Sequence, residues 1–297
     1  MADLLPRLRI VYFSSGGIFS ALPLKHLLSS GEQVCAIVTA EALPIQQSRK
    51  AFPLLGEAVR HSVFGLAETH HIPVCFAPVM TDDLLSRLTD YQPDIIFVSC
   101  FPWRLPHEIL SLPTLGCFNL HPSLLPQYRG PMPLFWQFHQ GERQSGVSLH
   151  QMDSGWDTGA LFAQQTVILP EGVTAREMSV KLATIGGRLM CRCLRHLRHK
   201  QMTLTKQPLR VRYWSHPEQE VFQLSLRQPA RTLYHFLCGT RRFGRLYRLS
   251  IEGQEFDVQS AIACYDNLFL EKDFEWRNSH LWLKCVPGIL QVRARPV

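Results

Sequence analysis

Over the first two hundred positions, short unbroken apolar runs alternate with segments of helical spacing. Residues 9–14 (R-I-V-Y-F-S), 34–39 (V-C-A-I-V-T), 94–99 (D-I-I-F-V-S) and 117–120 read as buried strands, and 73–76 as a shorter one. Between them, helices are predicted over 19–28, 64–71 and 107–111, and from a Thr81-Asp82-Asp83 cap to about 89, because short side-chain oxygens satisfy the free donors at a helix start. Ser15-Gly16-Gly17 is a turn, and Gly31 stops the first helix. Uninterrupted apolar strands alternating with helices imply a mostly parallel sheet covered on both faces. A long helix is predicted over 174–199, with Met178, Leu182, Ile185, Leu189, Cys193 and His196 on one stripe. Arg188, Arg192, Arg195 and Arg198 lie on its solvated face.

The texture changes near Pro208. A helix fits 230–238, a hairpin fits 246–258 with its turn at Glu252-Gly253, and strands fit 281–285 and 289–294 around Pro287-Gly288. The expected organisation is an α/β domain over 1–205 followed by a small β-rich domain over 206–297.

Composition narrows the class. Of 297 residues 46% are hydrophobic and 19% charged, enough to fill a sizeable core. Nothing approaches the roughly 18 apolar residues of a membrane span. The start lacks the pattern of a signal peptide. Nine cysteines, scattered through apolar runs, suggest reduced thiols, and Cys191-x-Cys193 has no partner pair at zinc spacing, so no metal is expected. A cytoplasmic protein without membrane contact is the expectation. The formal charge is +7, and residues 201–297, with 14 Lys and Arg against 9 Asp and Glu, carry most of it. That suits an anionic small molecule or a nucleic acid alike.

The chemistry concentrates between Gly116 and Gly159. In G-C-F-N-L-H-P-S-L-L-P-Q-Y-R-G-P-M-P, Asn119 and His121 are two apart at the end of a strand and share a face, and the carboxyl ends of such strands are where open α/β sheets bind ligands. A second cluster, Q-M-D-S-G-W-D-T-G, holds Asp153 and Asp157, and an Asp in such a turn either caps it or joins a site. Amide, imidazole and carboxylate without a Ser or Cys nucleophile suit attack on a carbonyl by an external nucleophile.

Together, N-L-H-P-S-L-L-P-Q-Y-R-G-P-M-P and M-D-S-G-W-D-T-G resemble the folate-dependent formyltransferases, and 251–261 (I-E-G-Q-E-F-D-V-Q-S-A) resembles the C-terminal domain of the members acting on methionyl-tRNA. The resemblance implies a Rossmann-like catalytic domain with an OB-like appendage, and 10-formyltetrahydrofolate as co-substrate without a metal. It assigns catalysis to Asn119, His121 and Asp157, with a protonated His121 and Asn119 stabilising an oxyanion and Asp157 favouring the charged ring and removing the amine proton. Ser123, Leu124, Leu125 and Pro126 match a folate-lining loop, and Phe101 to Pro106, with Arg104 and Leu105, occupies the place of a second. In the tRNA enzymes the loop after the second strand is rich in Gly, Lys and Arg. Here 39–52 holds only Arg49 and Lys50 as basic residues, and the chain ends soon after the last expected strand. A small amine, such as an amino-sugar nucleotide, is therefore the expected acceptor partner beside folate, with initiator Met-tRNA as the alternative. The clustered Arg241, Arg242, Arg245 and Arg248 favour the latter or a nucleotide diphosphate. A non-catalytic folate-binding module is the remaining alternative.

Overall fold

The structure, a computed structural model, describes residues 7–40, 62–241, 243 and 246–297. Most of the basic-poor loop after the second strand, together with Arg242 and Arg245, lies outside the described residues. The chain divides into two units: Met1–Arg129 with Gly146–Thr166 and Ser179–Tyr213, and Gly130–Ser145 with Val167–Met178 and Trp214–Val297.

In the first unit β1 (Arg9–Ser14), β2 (Gln33–Thr39), β3 (Val74–Phe76), β4 (Ile95–Ser99) and β5 (Cys117–His121) are parallel, and β6 (Gln144–Gln151) joins β5 antiparallel. With β7 (Leu161–Ile168) the order is 3-2-1-4-5-6-7. Ile10 to Phe13 and Ile95 to Phe97 are wholly inaccessible, which is why these strands read as continuous apolar runs. The helices in chain order are α1 (Ile18–Ser29), α2 (Val63–Thr69), α3 (Asp82–Asp90), α4 (His107–Leu110), α5 (Pro133–His139), α6 (Ala175–Arg198) and α7 (Ala230–Thr240). Thr81 caps α3 as expected, its hydroxyl accepting from the Leu84 amide at 3.2 Å. A reciprocal box starts α6: the Glu177 carboxylate accepts from the Thr174 amide at 2.8 Å, and the Thr174 hydroxyl accepts from the Glu177 amide at 3.2 Å.

Two glycines let α6 lie close to its neighbours. A Cβ on Gly186 would sit 2.3 Å from Cδ2 of Leu120, and one on Gly187 would sit 2.7 Å from His26. One expectation for this helix is corrected: Arg198 is not a solvated residue but forms a two-pronged ion pair with Glu32, both side chains being largely buried. The guanidinium matches the carboxylate plane and draws it out of solvent.

The second unit packs around aromatic rings. Phe135 of α5 touches Trp136, Phe222, Phe236 and Phe243 at centroid separations of 5.3 to 5.6 Å. Its sheet, of order 10-11-12-9-8, comprises β8 (Tyr247–Ile251), β9 (Gln254–Tyr265), β10 (Phe274–Arg277), β11 (His280–Lys284) and β12 (Ile289–Pro296), antiparallel throughout. The Glu252-Gly253 turn falls where expected, both residues having positive φ (49° and 76°), the conformation a two-residue hairpin needs.

Candidate active site

The strand order reverses between β1 and β4, and at such a point an open α/β sheet forms a crevice outside the carboxyl ends of its strands. Serine hydroxyls stitch this edge together: Ser20 donates to the Ser99 carbonyl and Ser99 to the Phe19 carbonyl, each at 2.7 Å. β5 ends one strand further along, and its antiparallel pairing with β6 sets Asn119 opposite His150 and His121 opposite Ser148. With a two-residue strand period, these four side chains share one face.

Asp157 completes the cluster. Its Oδ1 lies 3.3 Å from the Asn119 Nδ2, 3.6 Å from His121 Nδ1 and 3.6 Å from His150 Nε2. The Asn119 amide also donates to His150 Nε2 at 3.2 Å, while His150 Nδ1 donates to the Gln151 carbonyl at 3.0 Å, so the neutral Nδ1–H tautomer of His150 satisfies both contacts. His121 Nε2 donates to the Tyr128 carbonyl at 2.9 Å, which leaves Nδ1 turned toward Asp157. Burial lowers the His121 pKa below its ordinary value. The Asp157 charge and the Tyr128 carbonyl pull it up without reversing the shift, and His150 adds to the lowering. The neutral ring is therefore favoured in the free protein. An oxyanion formed beside the ring would raise its proton affinity again.

The two aspartates of the second motif divide the work. Asp153 organises the turn, accepting from the Gly155 amide at 3.0 Å and the Thr158 hydroxyl at 2.6 Å. Asp157, at φ 54°, turns its carboxylate to the histidines. Gly159 is required just behind it, because a Cβ there would lie 1.7 Å from the Gln151 carbonyl oxygen.

The two expected folate loops occupy the same edge, following β4 and β5. Ser123 is buried; its hydroxyl donates to the Gln127 carbonyl at 2.7 Å and its carbonyl accepts from Ser148 at 2.6 Å, so neither serine hydroxyl is a free nucleophile. The Leu125 amide donates to Ser148 at 3.0 Å and its carbonyl accepts from Gln164 at 2.7 Å. Leu124 fills the space beside Gly146, where a Cβ would meet it at 2.3 Å, and Pro126 follows Leu125 through a cis peptide. Leu105 points its side chain into the core beside Phe13 and Ile109, leaving only its backbone for a ligand, whereas Trp103 and Arg104 are exposed. Among the described residues no His, Cys, Asp and Glu group could hold a metal ion, and no helix is long and apolar enough to cross a membrane.

His150 is the site residue that sequence reasoning missed. It reaches the cluster only through the antiparallel pairing of β6 with β5, which sets it opposite Asn119.

Residues 8–194 match the Formyl transferase family, and the chain belongs to it. Its members are enzymes that use formyl-tetrahydrofolate. A methionyl-tRNA formyltransferase of Bartonella bacilliformis is 30% identical over 92% of this chain and 87% of its own. Among solved structures, an N-formyltransferase from Helicobacter canadensis, in complex with folinic acid and dTDP-3-aminofucose, superposes with a TM-score of 0.67 at 16% identity, covering 97% of this chain and 99% of that one. A methionyl-tRNA formyltransferase from Clostridium thermocellum gives 0.58 at 14% identity over 98% and 99%. At these identities the structures share the fold.

Proposed function

We propose that this enzyme transfers the formyl group of 10-formyltetrahydrofolate to the primary amine of a small acceptor, such as an amino-sugar nucleotide, by direct attack through a tetrahedral intermediate. The observation that carries this reading is the convergence of Asn119, His121 and Asp157 without a nucleophilic side chain among them. Such a donor set fits a co-substrate that brings its own electrophilic carbonyl, and the loops at 100–106 and 122–126 would hold it. The folate supplies an activated formyl carbon and a nitrogen leaving group.

Asn119 can donate an amide hydrogen to the oxyanion, and neutral His121, poised at an Asp157 distance of 3.6 Å, can take up a proton as charge builds beside it. Asp157 accepts the amine proton directly or through a water and relays it to His121, whose cation it then compensates. The same proton passes to the folate nitrogen as that C–N bond breaks and the formyl carbonyl re-forms, leaving the formamide and tetrahydrofolate. The surroundings of Asp157 support a small, ring-bearing acceptor. Trp156 and Tyr213 are both half-exposed, and burial, followed by the Asp157 charge, raises the Tyr213 pKa, which puts that phenol near the carboxylate. The nearby cation Arg129 is buried and engaged by Gln207 and Pro208.

A second reading, formylation of Met-tRNA, is favoured by the curated relatives of that name and by exposed Arg210 and Arg212 beside Tyr213. Formyl transfer from 10-formyltetrahydrofolate should be measured with dTDP-amino sugars, other small amines and Met-tRNA. Product with a small amine and none with Met-tRNA is the expected result; formyl-Met-tRNA formation with a steep loss on adding salt would establish the second reading. Asp157→Asn should lower kcat about 10²- to 10⁴-fold with folate binding intact, and retention of full activity would remove the site assignment.

A further inference from the structure

We infer that Gln207, braced by Arg129, is a positioning residue that sets the distance between Asp157 and His121. Gln207 lies beyond the stretch matched to the family, 50 positions after Asp157 in the chain, yet its side-chain amide grips the backbone on both sides of Thr158. Nε2 donates to the Asp157 carbonyl at 3.0 Å and to the Gly159 carbonyl at 2.6 Å. On its other side Oε1 accepts from Arg129 Nη2 at 2.8 Å and Nε at 3.3 Å, and Nη2 also donates to the Pro208 carbonyl at 3.0 Å.

Both hydrogens and both lone pairs of this amide are thus used, so it has one orientation. Both side chains are buried, Gln207 at 8% and Arg129 at 3% exposure, so solvent cannot replace these bonds at little cost. The residue they act on needs holding. Asp157 is a non-glycine at φ 54°, a conformation that persists only where the surroundings fix it. The guanidinium orients Gln207, Gln207 fixes the peptides flanking Thr158, and the carboxylate consequently faces Asn119, His121 and His150 together. Arg129 follows β5 and its loop, so the brace links the strand bearing Asn119 and His121 to the turn bearing Asp157.

The test uses the full-length enzyme with Gln207→Leu and, should that variant not fold, Gln207→Glu, which still accepts from Arg129 but cannot donate to the two carbonyls. The first readout needs no acceptor: NMR titration of the His121 ring, assigned by its absence in His121→Asn. The ionisable groups facing this ring are Asp157, which raises its pKa, and His150, which lowers it. Release of Asp157 should move the titration down by about half a unit or more. General loosening would instead expose the ring and move it up toward the ordinary value, and an upward or absent shift overturns the inference.

The second readout is kinetic, with the best acceptor of the panel above. kcat should fall about ten- to a hundredfold, while KM for folate stays within about twofold. In an Asp157→Asn background the Gln207 change should add little further, because it acts through that carboxylate. Full, independent loss in that background overturns it. The inference rests on the proposed role of Asp157, and the readouts separate the two: an active Asp157→Asn enzyme fails the proposed chemistry, whereas an inactive one beside a normal Gln207→Leu enzyme fails only the brace.

Discussion

The Asn119 side chain has two amide hydrogens, and acceptors engage both: His150 at 3.2 Å and Asp157 at 3.3 Å. To donate to an oxyanion the amide must release one of them. The His150 contact is fixed by strand register, whereas Asp157 sits on a turn, so under the proposed chemistry the Asp157 hydrogen would be the one handed to substrate. His150 therefore anchors the amide plane while the other hydrogen changes partner. His150→Leu should lower kcat about tenfold with KM for folate little changed, and His150→Gln, which restores an acceptor, should recover part of it. Asn119→Ala should cost about 10²- to 10³-fold, the usual loss for an oxyanion donor. Steady-state kinetics on the three variants decides the matter: wild-type kcat in His150→Leu would leave the histidine a bystander. Asn119, His121 and Asp157 were legible in the sequence because their motifs bring them as fixed strings. His150 was not, because it joins them through antiparallel pairing across 31 positions, and nothing local to Q-S-G-V-S-L-H-Q announces that partner. The left-handed backbone of Asp157 and the grip of Gln207 on it are equally non-local.

At the level of elements, the sequence was readable wherever a side-chain pattern had a single cause. β1 and β4 are buried on both faces and so are continuously apolar, and α3 and α6 carry their own caps. α5, β6, β7 and β10 went unassigned for physical reasons. Six of the seven residues of α5 (P-L-F-W-Q-F-H) are buried, so it has no polar face to reveal a helical period. β6 turns Ser148 and His150 into the site, where polar residues are buried and the usual alternation loses its meaning. The close approach of α6 to β5 was also hidden until Gly186 met Leu120. Leu120 lies between Asn119 and His121, so this contact bears on stability and on the site together. Gly186→Ala places a carbon 2.3 Å from a buried side chain and should destabilise the fold by about 1–3 kcal/mol, with kcat falling as β5 shifts. Gly253→Ala is the matching control: nothing lies within 4 Å of the added carbon, but φ is 76°. It should cost about 1 kcal/mol through backbone strain and leave kcat unchanged. Thermal unfolding and kinetics on the pair separate packing against β5 from loss of stability alone. Equal kcat in both variants would show that the helix contact does not reach the site.

For the whole molecule, buried histidines in both units predict a loss of stability in mild acid. Burial lowers the pKa of His121 in the first unit and of His139 and His235 in the second, with Arg143 adding to the effect on His235. In the unfolded chain these rings titrate near the ordinary value of about 6.5. Above that pH both states hold them neutral, and their contribution to stability is complete. As pH falls below it the unfolded chain takes up protons that the folded one refuses, so stability is lost progressively until each folded pKa has been passed. Heat stability should therefore be nearly flat from pH 8 to 7 and fall steadily from about 6.5 downward, before most carboxylates titrate. His235 offers the clean test, because it is 1% exposed, packs against Phe138 at 5.0 Å between ring centroids, and is not part of the Asn119, His121, His150 and Asp157 cluster. Phenylalanine is near it in shape and cannot ionise. Unfolding midpoints of His235→Phe and the wild type should run parallel above pH 7 and diverge below 6.5, the variant losing less. The residual histidine contribution in the variant then belongs to His121 and His139, and to His26, whose pKa is lowered by burial and by Arg188 and Lys25. Midpoints that stay parallel down to pH 5 would assign the acid lability to other groups, and a variant more acid-sensitive than the wild type would mean that the folded protein gains from charging His235.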